Sequence, residues 1–209
     1  MNEQEVRRIF DETGVLRRGH FVYTSCLHGE FYIDKDMIYI HPVIISRLCS
    51  VIAEQFADDG VEVVVGPEKG GIILSQWVGY YCSLITNREV LAFYAEKKDG
   101  GFIIKRGGAK DIICGKRILV VEDVLTTGGS ARKVTEVVRA MGGKVVGLGA
   151  LCNRGGIRPQ DVADVPKLTA LMNIRLETWE EAACPLCGRG VPINTDIGKG
   201  LEFMERGWI

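Results

Sequence analysis

Hydrophobic and polar positions change their rhythm several times along this chain. Residues 2–13 (NEQEVRRIFDET) carry apolar side chains at helical spacing among charges, and Gly14 ends that helix. Residues 20–40 (HFVYTSCLHGEFYIDKDMIYI) mix aromatics with turn residues, which predicts short strands. Pro42 opens a helix. Ile45, Leu48, Cys49, Ile52 and Phe56 then follow along one helical face until DDG at 58–60. VEVVVG (61–66) is a β-branched run with no polar alternation past Glu62, the pattern of a strand buried on both faces. GPEKGG (66–71) reads as a glycine-rich turn, followed by a helical pattern to about Ser83. VLAFYAEK (90–97), KRILVVED (116–123) and KVVGLGALCNR (144–154) read as further strands. GGSARKVTEVVRAMGG (128–143) predicts a helix with Ala131, Val134, Val138 and Met141 on one face. DGGFIIKRGGAKD (99–111) is glycine-rich and charged, and predicts a mobile loop or loose hairpin.

Strand and helix thus alternate from 42 to 154 with short connections. Such alternation means βαβ units and a parallel sheet covered on both faces, an α/β fold. The first 40 residues and those after 160 break the rhythm. The expected organisation is one domain over 1–209, with a core at about 41–160 and a small hood from about 1–40 and 161–209. A chain of 209 residues suits one domain. At that size folding buries roughly 70% of the unfolded chain's surface, so the core needs no disulfide. Lys plus Arg number 26 against 27 Asp plus Glu, so no basic excess points to a nucleic acid partner. No apolar run reaches the roughly 18 residues of a membrane span. The charged N-terminus is unlike a signal peptide. Seven cysteines, an odd number mostly in apolar stretches, read as reduced core residues and indicate a cytoplasmic chain.

Chemistry concentrates in ILVVEDVLTTGGSARKV (118–134). An apolar strand delivers Glu122 and Asp123 to its C-terminal end. Thr126, Thr127 and Ser130 then offer hydroxyls, and Gly128 and Gly129 let backbone N–H groups approach a ligand closely. The helix start adds unpaired donors and a partial positive charge, completing a nest for a phosphate dianion. Carboxylates beside a phosphate suit vicinal hydroxyls, which donate to them. A ribose 5-phosphate has both features. The stretch is neither a Walker P-loop nor a dinucleotide fingerprint, since it contains no GxxxxGK[ST] and no GxGxxG.

VVEDVLTTGGS resembles the 5-phosphoribosyl-1-pyrophosphate (PRPP) motif of type I phosphoribosyltransferases. Flanking segments resemble the orotate phosphoribosyltransferases in particular. They are HFVYTSCLHGEFYIDKD (20–36), VVGPEKGGIIL (64–74), VLAFYAEKKDGGFIIKRGG (90–108), ALCNRGG (150–156) and EAACPLCGRGVPI (181–193). The resemblance implies the type I phosphoribosyltransferase fold, a central parallel sheet flanked by helices with a hood from both termini. It implies transfer of the phosphoribosyl group from PRPP to orotate in pyrimidine nucleotide synthesis, giving orotidine 5′-phosphate and pyrophosphate. It also implies Mg²⁺ bound mainly through PRPP, and a homodimer whose flexible loop reaches into the partner's site.

By the same resemblance Glu122 and Asp123 hold the ribose hydroxyls. The run Val124, Leu125, Thr126, Thr127, Gly128, Gly129 and Ser130 binds PRPP, with the 5-phosphate on 126–130. Thr126 and Arg154 face orotate, a guanidinium matching a planar carboxylate or carbonyl edge. The turn 66–71, with Lys69, binds pyrophosphate through an unusual peptide geometry. Lys97 is the expected catalytic loop cation, with Lys98, Lys105 and Arg106 as further PRPP-facing charge. Related enzymes carry Arg-Lys where this chain has Glu96-Lys97, and a loop histidine that is absent here. Two other readings stay open: a phosphoribosyltransferase for another base, and a PRPP-binding regulator without turnover. Cys184-Pro-Leu-Cys187 is a single CxxC, and His20, His28 and His41 are dispersed, so packing is the expected role and no metal site is assigned.

Overall fold

The computed structural model describes residues 1–105 and 108–206. Its elements run α1 (Glu3–Glu12), β1 (Leu16–Val22), β2 (His28–Ile33), α2 (Asp36–Tyr39), α3 (Pro42–Gln55), β3 (Val63–Pro67) and α4 (Gly70–Thr86). They continue β4 (Leu91–Lys98), β5 (Gly101–Ile103), α5 (Ala109–Ile113), β6 (Arg117–Leu125), α6 (Gly129–Ala140), β7 (Lys144–Asn153) and β8 (Leu168–Asn173). β9 (Thr178–Trp179), α7 (Pro185–Gly188) and α8 (Gly200–Arg206) follow. The chain divides into two compact units: residues 1–7 with 39–174, and residues 8–38 with 175–209. Among the described residues no helix is long and apolar enough to cross a membrane.

The first unit is built on a six-stranded sheet in the order β5-β4-β3-β6-β7-β8. All its pairings are parallel except β4 with β5. The period of two along each strand sorts side chains between the faces. Val63 and Val65 of β3, Ile118 and Val120 of β6, and Leu148 and Ala150 of β7 cluster with Ala131, Val134 and Val138 of α6. On the opposite face Gly147 and Gly149 meet Phe56 and Ile52, the end of the α3 stripe. Both faces are covered, which is why these strands lack polar alternation.

Two stretches differ in detail from their sequence patterns. Residues 99–111 hold a hairpin, with Lys97 opposite Phe102, and the short α5. β8 adds a parallel strand to the sheet from the stretch beyond 160, where the alternation had lapsed.

In the second unit β1 pairs antiparallel with β2, and β9 extends that sheet beyond β2. The returning C-terminal segment bonds along β1, with Asn194 N–H on His20 O at 2.7 Å and Lys199 N–H on Val22 O at 2.8 Å. His28 pairs with Val22, and His20 lies two residues before Val22, so both rings stand on one face of the hairpin. Cys184 and Cys187 join them there. The expectation that these histidines are too dispersed to meet is therefore corrected. The hairpin cancels their separation, and the chain returns from residue 175 to bring the cysteines. Cys49, Cys82 and Cys152 are buried in the first unit as expected, whereas Cys26 and Cys114 are exposed.

Candidate active site

The strand order sets where a ligand can sit. β3 and β6 are neighbours, and the sheet is extended from β3 toward β4 on one side and from β6 toward β7 on the other. That reversal leaves a crevice at the carboxyl ends of β3 and β6, the usual ligand seat in open α/β sheets. Four segments singled out in the sequence end at this edge: the turn after β3, the lysines closing β4, the acidic pair and small residues after β6, and Arg154 after β7.

Glu122 and Asp123 are buried, Asp123 to 2% exposure. A carboxylate so placed requires donors. Asp123 Oδ1 accepts Val124 N–H at 2.7 Å, and Oδ2 accepts the Tyr39 hydroxyl at 3.0 Å. Glu122 Oε1 accepts Asp123 N–H at 3.2 Å. Burial, then the charge of Asp123 and the hydrogen bond to it, push the Tyr39 hydroxyl far above its ordinary range, so it stays a neutral donor.

Beyond the pair, Thr126 and Thr127 are exposed, and Gly128 opens α6 with φ of 73°. A Cβ there would press to 3.0 Å from Val162 Cγ1, so both the left-handed backbone and the tight seat select glycine. Arg132 N–H bonds back to Gly128 O at 2.8 Å, so the N–H groups of the preceding turn are directed at the Thr126–Ser130 loop.

The 66–71 turn rests directly on the acidic pair. A Cβ on Gly70 would fall 2.1 Å from Asp123 Oδ2 and 2.3 Å from the Tyr39 hydroxyl, so no larger residue fits. Its Glu68–Lys69 peptide is cis, and Lys69 is exposed. Glu68 stitches the turn to β4: its N–H donates to Ala95 O at 2.9 Å, and its Oε1 accepts Lys97 N–H at 2.8 Å.

A cavity of about 420 Å³ lies between the β4–β5 hairpin and the start of α6, lined by Lys97, Lys98, Thr127, Gly129, Ser130 and Lys133 among others. Two of the expected loop lysines thus share a cleft with the hydroxyl-rich turn. Lys105 is exposed and is not among the lining residues, and Arg106 falls outside the described residues. Arg154 N–H and Gly155 N–H both donate to Leu125 O at 3.0 Å. Gly155 lies so close to Thr126 O that a Cβ would reach 1.8 Å, which holds Arg154 beside Thr126.

The edge therefore joins acidic hydrogen-bond acceptors, an N–H-rich hydroxylated turn and a cationic rim. That set suits a sugar carrying phosphate at one end and diphosphate at the other. A phosphoribosyl transferase domain family model matches residues 34–173. Orotate phosphoribosyltransferase of Desulforamulus reducens is 35% identical over 198 residues, covering 92% of this chain and 95% of that one. The Pelotomaculum thermopropionicum enzyme of the same name is 37% identical at the same coverage. The chain belongs to the orotate phosphoribosyltransferase family. A solved orotate phosphoribosyltransferase structure from Mycobacterium tuberculosis shares the fold at a TM-score of 0.66 and 21% identity, covering 82% of this chain and 95% of that one.

Two site residues of this phosphoribosyltransferase escaped sequence reasoning. Tyr39 closes a stretch read as strands, and nothing local shows that it meets Asp123, 84 positions away. Lys133 had a visible signal. It lies three places beyond Ser130 and lines the same cleft as Thr127, Gly129 and Ser130. Its Nζ donates to Gly100 O at 2.5 Å, spanning the cleft to the hairpin tip.

Proposed function

We propose that the chain transfers the 5-phosphoribosyl group of PRPP to orotate at this crevice, with each residue in the role its position supports. The observation that carries the reading is the meeting of Lys97 and Lys98 with Thr127, Gly129 and Ser130 in one cleft, beside a buried acidic pair. The 5-phosphate sits on the Thr126–Ser130 turn, held by N–H groups and hydroxyls. The ribose diol donates to Glu122 and Asp123. The diphosphate lies along the 66–71 turn with Lys69 beside it. Thr126 and Arg154 orient orotate. A ring nitrogen of orotate attacks C1 of the ribose as pyrophosphate leaves, so negative charge grows on the leaving group. Lys97 and Lys98, at the base of the β4–β5 hairpin, meet that charge and help exclude water.

Mg²⁺ fits the donor chemistry, since the acidic pair offers hard oxygens at the crevice floor. Asp123 spends both carboxylate oxygens on protein donors, which favours a cation carried mainly on PRPP oxygens over one caged by side chains. When bound it neutralises diphosphate charge and orients the sugar diphosphate. We also propose a homodimer. Ile40 and Val43 at the start of α3, and Tyr80, Leu84 and Ile85 of α4, are large apolar side chains left exposed, which supports that reading. In that dimer Lys105, beyond the hairpin, would serve the partner's site while Lys97 and Lys98 act in their own chain. We read the two units as one catalytic domain working in the cytoplasm, supported by seven cysteines none of which is joined in a disulfide.

The test is a panel. Pure protein with PRPP and Mg²⁺ is offered orotate, uracil, adenine, hypoxanthine or xanthine, and base absorbance is followed. Loss of orotate absorbance with stoichiometric pyrophosphate supports the reading. Turnover of another base alone overturns the base assignment, and PRPP binding with no turnover overturns catalysis.

A further inference from the structure

His20, His28, Cys184 and Cys187 converge in the second unit, and their ligand atoms all lie within 4.8 Å of one another. His20 Nε2 stands 2.8 Å from His28 Nδ1, 3.6 Å from Cys184 Sγ and 3.7 Å from Cys187 Sγ. Cys187 Sγ is 3.4 Å from His28 Nδ1. Zinc bonds of about 2.3 Å to sulfur and about 2.05 Å to nitrogen give tetrahedral edges of about 3.5 Å for N···S and about 3.3 Å for N···N. These three N···S separations already match, an ion would part the two ring nitrogens by about 0.5 Å, and all four ligand atoms lie within 4.8 Å of one another.

The surroundings fit as well. His20 Nδ1 lies 2.8 Å from Val191 O, a carbonyl that can only accept. His20 therefore carries its proton on Nδ1 and turns the Nε2 lone pair into the cluster, the outer hydrogen bond typical of a metal-bound imidazole. Without an ion that single lone pair faces a ring nitrogen and two sulfurs at once. His28 Nε2 is buried with no hydrogen-bond partner, and the ring stands edge-on to Phe203 at 4.9 Å. Three of the four residues are buried and Cys187 is partly so. Four protein donors with that enclosure leave no position for substrate, which is the pattern of a structural site.

We propose that these four side chains bind one zinc ion as a closed Cys₂His₂ site. On binding, both thiols release their protons to solvent, and the two thiolates balance the dication. The ion ties the β1–β2 hairpin to α7 across more than 150 residues of intervening chain. The need is physical. The second unit consists of two short segments remote in sequence, with a small core of its own. A core in a unit below roughly 70–80 residues supplies little stability by itself, and a metal staple adds to it. On this proposal the CxxC, lacking a second cysteine pair, does more than the packing expected of it. The second pair is histidines, brought over by the hairpin.

Full-length protein purified without chelator is analysed for metal by plasma mass spectrometry, then stripped and titrated with Co²⁺. The expected result is one zinc per chain, and a cobalt spectrum with intense tetrahedral bands and a thiolate charge-transfer band. Cys187→Ser and His28→Gln should each weaken cobalt binding by more than about a hundredfold. If Cys187→Ser fails to fold, the cobalt spectrum of the unsubstituted chain decides. No stoichiometric zinc together with no tetrahedral cobalt spectrum overturns the proposal. So does a Cys184–Cys187 disulfide in the purified chain. None of these readouts depends on transferase activity.

Discussion

Replacing Tyr39 with phenylalanine removes one oxygen and leaves the ring. Its hydroxyl donates to Asp123 Oδ2 at 3.0 Å, and Asp123 is 2% exposed, so little solvent is at hand to replace the lost donor. A hydrogen bond to a charged group contributes about 1.5–3 kcal/mol. For a chain of this size that corresponds to a fall in Tm of roughly 3–12 °C. On the proposed role of Asp123 as acceptor for the ribose diol, kcat/KM for PRPP should also fall by about tenfold or more while the apolar core stays intact. Scanning calorimetry and initial rates of orotate consumption measure the two effects. A double-mutant cycle with Asp123→Asn isolates the pair, and a coupling of at least about 1 kcal/mol is expected because the residues touch. A Tm within about 1 °C of the parent, or strict additivity in the cycle, would refute the reasoning.

Further outcomes follow from the same geometry. Lys97→Ala should lower kcat by about 30-fold or more while the Kd for PRPP stays within a fewfold, if its charge acts on the departing pyrophosphate as proposed; an unchanged kcat removes it from the chemistry. Lys133→Met should cost about tenfold in kcat/KM and speed amide exchange at the hairpin tip, since its bond to Gly100 O is lost; parental exchange there would show that Lys133 does not hold the hairpin. In native protein Cys26 and Cys114 should react readily with an aromatic disulfide reagent. Cys82 and Cys152 should not, because burial pushes their thiols up to about 11 and about 12. Mass mapping of the labelled cysteines decides. Hydrogen bonds from Lys116 and from Arg117 N–H hold the Glu62 carboxyl below its usual range. Its contribution is thus present above pH of about 4.3 and lost as pH falls through the lower folded value. Glu62→Gln should flatten that part of the acid-denaturation curve, and an unaltered curve would dismiss the pair.

The buried strands β3, β6 and β7 were legible because each is covered on both faces, which imposes continuous apolar runs such as VEVVVG and ILVV. The Thr126–Ser130 turn was legible because its features are local: small residues, hydroxyls and a helix start within five positions. β8 was not, since it is an edge strand whose Leu168, Thr169 and Ala170 are only partly buried, so no strong pattern is required of it. α5 has five residues, too few to display a helical period. Tyr39 and the His20–His28–Cys184–Cys187 cluster depend on contacts between distant stretches, which spacing along the chain does not encode. Gly70 showed itself only as part of a glycine-rich turn; the reason for glycine there is the Asp123 carboxylate against its Cα.

The central claim is that the turn after β6 seats the sugar phosphate while the neighbouring carboxylates hold its diol. A crystal structure of the protein soaked with PRPP and Mg²⁺ reads this directly. The 5-phosphate should lie within hydrogen-bonding distance of N–H groups between Thr127 and Ser130, with ribose hydroxyls on Glu122 and Asp123. Density for the sugar diphosphate anywhere else, with this turn left to solvent, would contradict the account.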